Sequence, residues 1–126
     1  MATNTTYTQT PSDGTGPQGQ VLRAQGHVAF DATAIVAADS VSITCGFKPK
    51  YVRWINYTDR VMIEWHYGMP AGGCVKTAAN GTRTLETSGG NGGITLNSDN
   101  KGFSVLQNAT LGAILASKNC VWLAEG

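Results

Sequence analysis

The sequence contains few charged residues. Only 13% of its 126 residues are Asp, Glu, Lys or Arg, and nine basic against eight acidic side chains leave a formal net charge of +1. No overall field therefore draws the chain to nucleic acid or to an anionic membrane surface. The hydrophobic fraction of 41% is typical of a globular protein with one core at this length. We expect it to bind through shape and local groups, with no nucleic acid and no membrane as partner.

Cysteine is scarce, and long apolar runs are lacking. Cys45, Cys74 and Cys120 are odd in number, widely spaced and without a Cys-x-x-Cys pair, which argues against a disulfide framework and a zinc knuckle. We expect buried, reduced thiols. The first residues lack a basic region followed by an apolar run, and no stretch is long enough to span a bilayer. Folding in a cytoplasm is therefore expected.

The residues and motifs that catalysis uses are also few. His27 and His66 are the two histidines, and neither lies in a metal-binding spacing. Nucleophile elbows and phosphate-binding loops are missing, and the glycine cluster at 89–93 indicates a hairpin tip. The spacing of Glu64 and Glu86 does not predict a glycosidase pair. The sequence predicts a non-enzyme with no catalytic residues, no metal and no cofactor.

The first 26 residues are rich in Thr, Gln, Gly, Pro and Ser. This composition predicts an extended N-terminal arm over residues 1–26 and a β domain over residues 27–126. A polar arm does not recover its ordering entropy by itself, so we expect it to contact a neighbouring protein surface. The candidate interface residues in the arm are Thr3, Thr5, Thr6, Tyr7, Thr8, Gln9, Gln18 and Gln20.

After the arm, short runs of β-branched and aromatic residues alternate with Gly, Asn, Asp and Pro. This spacing predicts an all-β fold, an antiparallel sandwich or barrel that is jelly-roll-like. One helical turn is predicted at residues 109–116, with Asn108 as its cap and Leu111, Ile114 and Leu115 at helical spacing. The predicted strands are residues 27–36, 41–45, 51–57, 60–67, 74–78, 82–87, 93–97, 102–106 and 120–124.

Residues 51–67 indicate a hairpin. A two-residue turn at Thr58 and Asp59 would pair Tyr57 with Arg60 and bring Arg53 opposite Glu64 as a cross-strand pair. Alternation then divides the hairpin into two faces. The predicted core face carries Val52, Trp54, Val61, Ile63 and Trp65. The other face, a mixture that suits contact with a partner, carries Tyr51, Arg53, Ile55, Met62, Glu64 and His66.

The aromatic residues admit two interpretations. Trp54, Trp65 and Trp122 could fill the core, or they could join the tyrosines in a sugar-binding platform. The alternation favours the core, because at least two of these tryptophans fall on the predicted inner face. A carbohydrate-binding module is kept as an alternative.

The stretch Gly46-Phe-Lys-Pro, followed by an apolar strand, then Gly-Thr, Gly-Gly-Ile-Thr and Gly-Phe-Ser-Val, resembles small β-sandwich structural proteins of tailed bacteriophages. The resemblance covers roughly residues 39–126. Physically, Gly46 permits a tight corner and Pro49 fixes the direction of the next strand, so that Phe47 plugs the space between sheets. With Trp54, Ile63 and Trp65, the expected core includes Phe47, Pro49, Phe103 and Trp122.

The resemblance implies a virion structural protein. We expect a capsid decoration or cement protein, made in the host cytoplasm and placed on the capsid surface, that stabilises the head by bridging major capsid subunits. Its implied partners are the major capsid protein and copies of itself, as a homo-oligomer on a symmetric lattice with a trimer as the expected state. A tail fibre or tail-associated receptor-binding module is the alternative in another functional class.

Overall fold

Several strands of the chain alternate more buried and more exposed side chains, and the strands together form an all-β fold. A computed structural model describes residues 22–37, 39–87 and 93–126. Each of the nine predicted runs overlaps one observed strand. The strands are β1 (Arg23–Ala29), β2 (Ser40–Thr44), β3 (Tyr51–Asn56), β4 (Val61–His66), β5 (Cys74–Thr77), β6 (Arg83–Glu86), β7 (Ile94–Leu96), β8 (Gly102–Leu106) and β9 (Asn119–Glu125).

The strands form two open antiparallel sheets. The larger has six strands in the order β1-β9-β3-β4-β5-β6, and the smaller has three in the order β2-β8-β7. The two sheets share one core, since Trp54 of β3 meets Phe103 of β8 edge-on with ring centroids 6.5 Å apart. The predicted all-β antiparallel sandwich is therefore confirmed.

The core consists largely of the residues that alternation selects. Trp54, Ile63, Trp65, Phe103 and Pro49 are buried, as expected. Phe47 and Trp122 are half-buried and pack against the same cluster. Because β3 and β4 supply buried residues at alternating positions, one face of this hairpin lies in the shared core.

The hairpin of β3 and β4 has the predicted register and a different turn. Arg53 lies opposite Glu64, and the last pair is Asn56 with Val61. The two-residue turn is wrong, because four residues, 57–60, connect the strands. The cause is Asn56, whose amide accepts a hydrogen bond from the backbone N–H of Asp59 (3.2 Å) and donates to the Asp59 carboxylate (3.1 Å). Such side-chain bonds to nearby backbone groups widen a turn.

The first strand begins earlier and ends earlier than predicted. Residues 23–26, assigned above to the arm, are part of β1, and the predicted strand at 27–36 stops at Ala29. Gly26 allows β1 to pair beside Trp122, since a Cβ there would lie 2.8 Å from the indole ring. After the strand, Asp31 accepts a hydrogen bond from the backbone N–H of Thr33 (2.9 Å), which turns the chain away from the sheet.

The predicted helical turn at residues 109–116 is not a helix. Asn108 does act as a cap, because its side-chain oxygen accepts hydrogen bonds from the N–H groups of Thr110 (2.8 Å) and Leu111 (3.1 Å). Gly112 then adopts a φ of 74° and ends the turn after one cycle. Leu111 and Ile114 are buried in the core, so the apolar spacing reports packing and not helix formation.

Several predictions fall on residues outside the described ranges. They are the arm contacts, namely Thr3, Thr5, Thr6, Tyr7, Thr8, Gln9, Gln18 and Gln20, and most of the glycine-rich tip at 89–93. The three cysteines lie inside these ranges, and all are free thiols; Cys74 and Cys120 are buried as expected, whereas Cys45 is half-buried.

Replacing Trp54 tests the joint between the two sheets. The side chain is fully buried, and its indole N–H donates to the carbonyl of Ala113 at 3.0 Å. We expect Trp54→Ala to lower the free energy of unfolding by about 3–5 kcal/mol, measured by urea denaturation. Trp54→Phe keeps most of the volume and should cost less. A loss below about 1 kcal/mol for the alanine variant would contradict this role.

Thiol titration tests the state of the cysteines. Burial raises the pKa of Cys74 to about 12 and that of Cys120 to about 11, with further contributions from nearby carboxylates. Because the thiolate is the reactive form, both should react slowly with Ellman's reagent in the native protein at pH 8. Three thiols per chain should react after unfolding without reductant. Recovery of a single thiol would show that two cysteines are oxidised.

Candidate functional site

The outward side of the six-stranded sheet is a broad mixed surface, here called the outer face. Strand register places its side chains in rungs that cross the sheet. One rung contains His27, Val121, Ile55, Met62, Thr77 and Arg83. The next contains Gln25, Leu123, Arg53, Glu64, Val75 and Leu85, and a shorter one contains Arg23, Glu125, Tyr51 and His66.

The outer face carries several apolar side chains that are partly or largely exposed. Ile55, Met62, Val75 and Val121 are half-buried, and the side chain of Leu85 is 66% exposed. Contiguous apolar groups rimmed by charged ones are typical of surfaces that bind protein. Sequence alternation predicted the part contributed by β3 and β4. The contributions of β5, β6 and β9 depend on pairing between strands that are distant in sequence.

Arg53 and Glu64 face each other in register but do not form an ion pair. The hydroxyl of Tyr51 donates to Glu64 Oε2 at 2.9 Å, and His66 Nε2 lies 3.9 Å from the same oxygen. The predicted cross-strand pair of Arg53 and Glu64 is therefore confirmed in its register, but the Glu64 carboxylate is contacted by Tyr51 and His66 and not by Arg53. Tyr51 and His66 form the adjacent rung, and their rings pack with centroids 4.8 Å apart, which brings both groups beside the carboxylate.

The phenol of Tyr51 has a raised pKa. Burial raises the pKa of Tyr51 to about 12, and the hydrogen bond to Glu64 and the negative charge of that carboxylate act in the same direction. The phenol is therefore a stable donor over the ordinary pH range. Its chemical role is to hold Glu64 in place.

A depression of about 420 Å³ lies beside Arg53 on the outer face. Its floor is formed by Val121 and Leu123 of β9. Its sides are formed by the neighbouring strands, with Arg53 and Ile55 on β3 and with Arg23, Gln25 and His27 on β1. We call it the β9 trough. Among the described residues its lining contains no Asp or Glu, so its polar groups suit an anion.

A second depression of about 250 Å³ lies between the segment after β1 and the loop that precedes β9. Its wall is mainly apolar and includes Phe30, Ile35, Val41, Ile114 and Leu115. Gln107, also in the wall, accepts a hydrogen bond from the N–H of Val36 at 3.0 Å. This depression is thus partly closed by contacts within the chain.

The structure separates the glutamates and aromatic residues that the sequence offered as glycosidase or sugar-binding sites. Glu64 lies on the outer face, whereas Glu86 pairs with Cys74 on the inward side, so the two carboxylates do not share a cleft. Trp54 and Trp65 are buried and cannot stack on a sugar. The exposed Tyr57 and Tyr67 lie at opposite ends of the β3–β4 hairpin.

Sequence reasoning missed Asn56. It is fully buried, and besides the turn it binds the carbonyl of Gly112 through its Nδ2 at 3.0 Å. Its position on the inward face next to a turn was the available signal. Among residues 22–37, 39–87 and 93–126, no cluster of His, Cys, Asp or Glu is placed to hold a metal ion. The same residues include no helix of the length and apolarity that a membrane crossing requires.

Alkaline titration tests the Tyr51 cluster. The pKa of Tyr51 is raised above its ordinary value of 10, so its contribution to stability is complete below about pH 10 and is lost as the pH rises toward 12. Urea midpoints of the wild type should therefore fall more between pH 9 and pH 11.5 than those of Tyr51→Phe. Tyr67→Phe, at an exposed position, is the control. Equal pH dependence of Tyr51→Phe and the wild type would contradict the interpretation.

The outer face and the β9 trough are formed by residues of this chain. Comparison of the chain with protein-family models, with curated proteins and with solved structures finds no match.

Proposed function

We propose that this protein is a decoration or cement protein of a tailed bacteriophage, which lies on the capsid surface and stabilises the assembled head by bridging major capsid subunits. The observation that carries the proposal is the outer face. It presents half-exposed Ile55, Met62, Val75 and Val121 among charged side chains on one side of the six-stranded sheet. A mixed surface of this kind suits adhesion to another protein.

The size of the outer face limits what it can do alone. Six strands spaced about 4.8 Å apart span about 25 Å, and five or six residues extend about 17–20 Å, so the face covers on the order of 500 Å². A footprint of this size fits one contact, so bridging two subunits requires a second.

The arm is proposed to provide that second contact. It joins the body at Leu22, whose carbonyl accepts a hydrogen bond from the N–H of Gly126 at 2.9 Å, next to the edge strand β1. Thr and Gln in an extended segment can add backbone hydrogen bonds along a neighbour's sheet edge. The arm is therefore attached at the edge strand of the large sheet, from which it can reach a different subunit.

The implied partners are the major capsid protein and further copies of this chain. Many copies held on a symmetric lattice gain avidity from modest individual contacts, and a trimer is the expected unit. The low net charge of +1 suits such a role, because close neighbours on a shell would otherwise repel each other. The proposal includes no cofactor, no nucleic acid and no membrane.

Removal of the arm tests the bridging function. A chain that lacks residues 1–21 retains all of β1 and should fold with an unchanged circular dichroism spectrum. We expect it to be lost from purified particles, and the particles to release their DNA at a lower temperature than those with the full chain. A chain with a 21-residue Gly-Ser arm is the matched control and should also be lost.

Two results would contradict the proposal. The first is a truncated chain that folds and remains on particles whose heat stability is unchanged, which would mean that the arm does not bridge. The second is a deletion that abolishes attachment to host cells and leaves the heads intact, which would favour a receptor-binding tail component over the decoration protein.

A further inference from the structure

The β9 trough is built around one rung of the large sheet. Gln25 and Arg53 both pair with Leu123, from the two sides of β9. Because neighbouring strands are about 4.8 Å apart, the Cα atoms of Gln25 and Arg53 are separated by about 10 Å across the floor. Both side chains line the depression. A planar anionic group above Leu123 would therefore have a guanidinium on one side and an amide on the other.

Arg53 is available to such a group. Its cross-strand neighbour Glu64 accepts the hydroxyl of Tyr51 instead, and among the described residues no ion pair of Arg53 occurs. Arg53 is half-buried, whereas Arg23 is exposed and lies 3.9 Å from Glu125 at the end of the trough. A half-buried guanidinium gains most from a charge-assisted, bidentate hydrogen bond.

We propose that the β9 trough binds the carboxylate of an Asp or Glu side chain in an extended segment of a partner protein, with Arg53 as its principal ligand and Gln25 as a second donor. This inference rests on the proposed function in that it makes the outer face a protein-binding surface. It adds the chemistry of the partner, which is an acidic strand-like segment.

The shape of the trough favours an extended segment. Val121 and Leu123 are two residues apart on β9, about 7 Å, which is also the distance between side chains on one side of an extended peptide. An acidic residue over Leu123 thus places the side chain two positions away over the apolar Val121 and Ile55. The expected motif is an acidic residue, any residue and a small apolar residue.

The site can be tested with two short peptides in solution. The probe is acetyl-Ser-Glu-Ser-Val-Ser-amide, and its matched control replaces Glu by Gln. In a ¹⁵N NMR titration, the Glu peptide should shift the amide signals of residues 25–27 and 121–123 and the Nε–H signal of Arg53. The Gln peptide should bind at least about tenfold more weakly, because a hydrogen bond to a charged group is lost.

Substitutions assign the carboxylate to Arg53. Arg53→Met keeps the aliphatic stem and should weaken binding of the Glu peptide at least about tenfold, to the level of the Gln peptide. Arg53→Gln is the second variant, so that a folding defect in one does not decide the result. Arg83→Met removes an arginine from the same face outside the trough and should bind as the wild type does. Tyr51→Phe should weaken binding too, because it frees Glu64 to pair with Arg53.

Three results would overturn the inference. They are equal affinity for the Glu and Gln peptides, unchanged affinity in both Arg53 variants, or tighter binding of free glucuronate than of the Glu peptide, which would make the site one for a sugar acid. The titration requires no capsid. If the peptide binds as expected while the full chain does not stay on particles, the proposed function fails and the carboxylate site stands.

Discussion

The structure depends on the placement of Trp54 between the two sheets. The ring packs edge-on against Phe103 of the small sheet, while its N–H donates to the carbonyl of Ala113 in the loop before β9. The Trp54 side chain thus contacts both sheets and also the loop at residues 107–118, which connects β8 to β9. Phe103 continues the contact to Trp122, with centroids 5.6 Å apart. Aromatic pairs of this geometry contribute to stability beyond the effect of their buried area, and they stabilise the packing of this small domain, which has few charges.

The residues that the large sheet directs into the core determine which residues it directs outward. Once β3 directs Val52 and Trp54 into the core, Tyr51, Arg53 and Ile55 must point away from it, because strand side chains alternate. The large sheet extends this consequence over six strands. The half-exposed apolar residues of the outer face are therefore not needed for the core, and a role outside the body accounts for them better.

The hydrogen bond from Tyr51 to Glu64 has an effect beyond its two residues. It occupies the carboxylate nearest to Arg53, so the guanidinium faces the β9 trough without a partner among the described residues. A cross-strand Arg–Glu pair would instead neutralise both groups within the sheet. The difference between these arrangements decides whether the charge of Arg53 is neutralised within the sheet or can interact with an acidic group of another molecule. Here the second arrangement holds, and the proposed carboxylate site rests on it.

The sequence by itself determined the all-β class, the register of the β3–β4 hairpin and most of the core, because alternation of apolar residues is a local property that each strand carries. Asn56 shows where local reasoning stopped: its bond to Gly112 spans 56 residues, and the turn length followed from it. The outer face is similar, since Leu123 meets Arg53 only through pairing of β9 with β3. Only the tertiary structure decided that Arg53 forms no ion pair with Glu64 and where the β9 trough lies. Such contacts depend on which distant strands become neighbours, and no local periodicity contains that information.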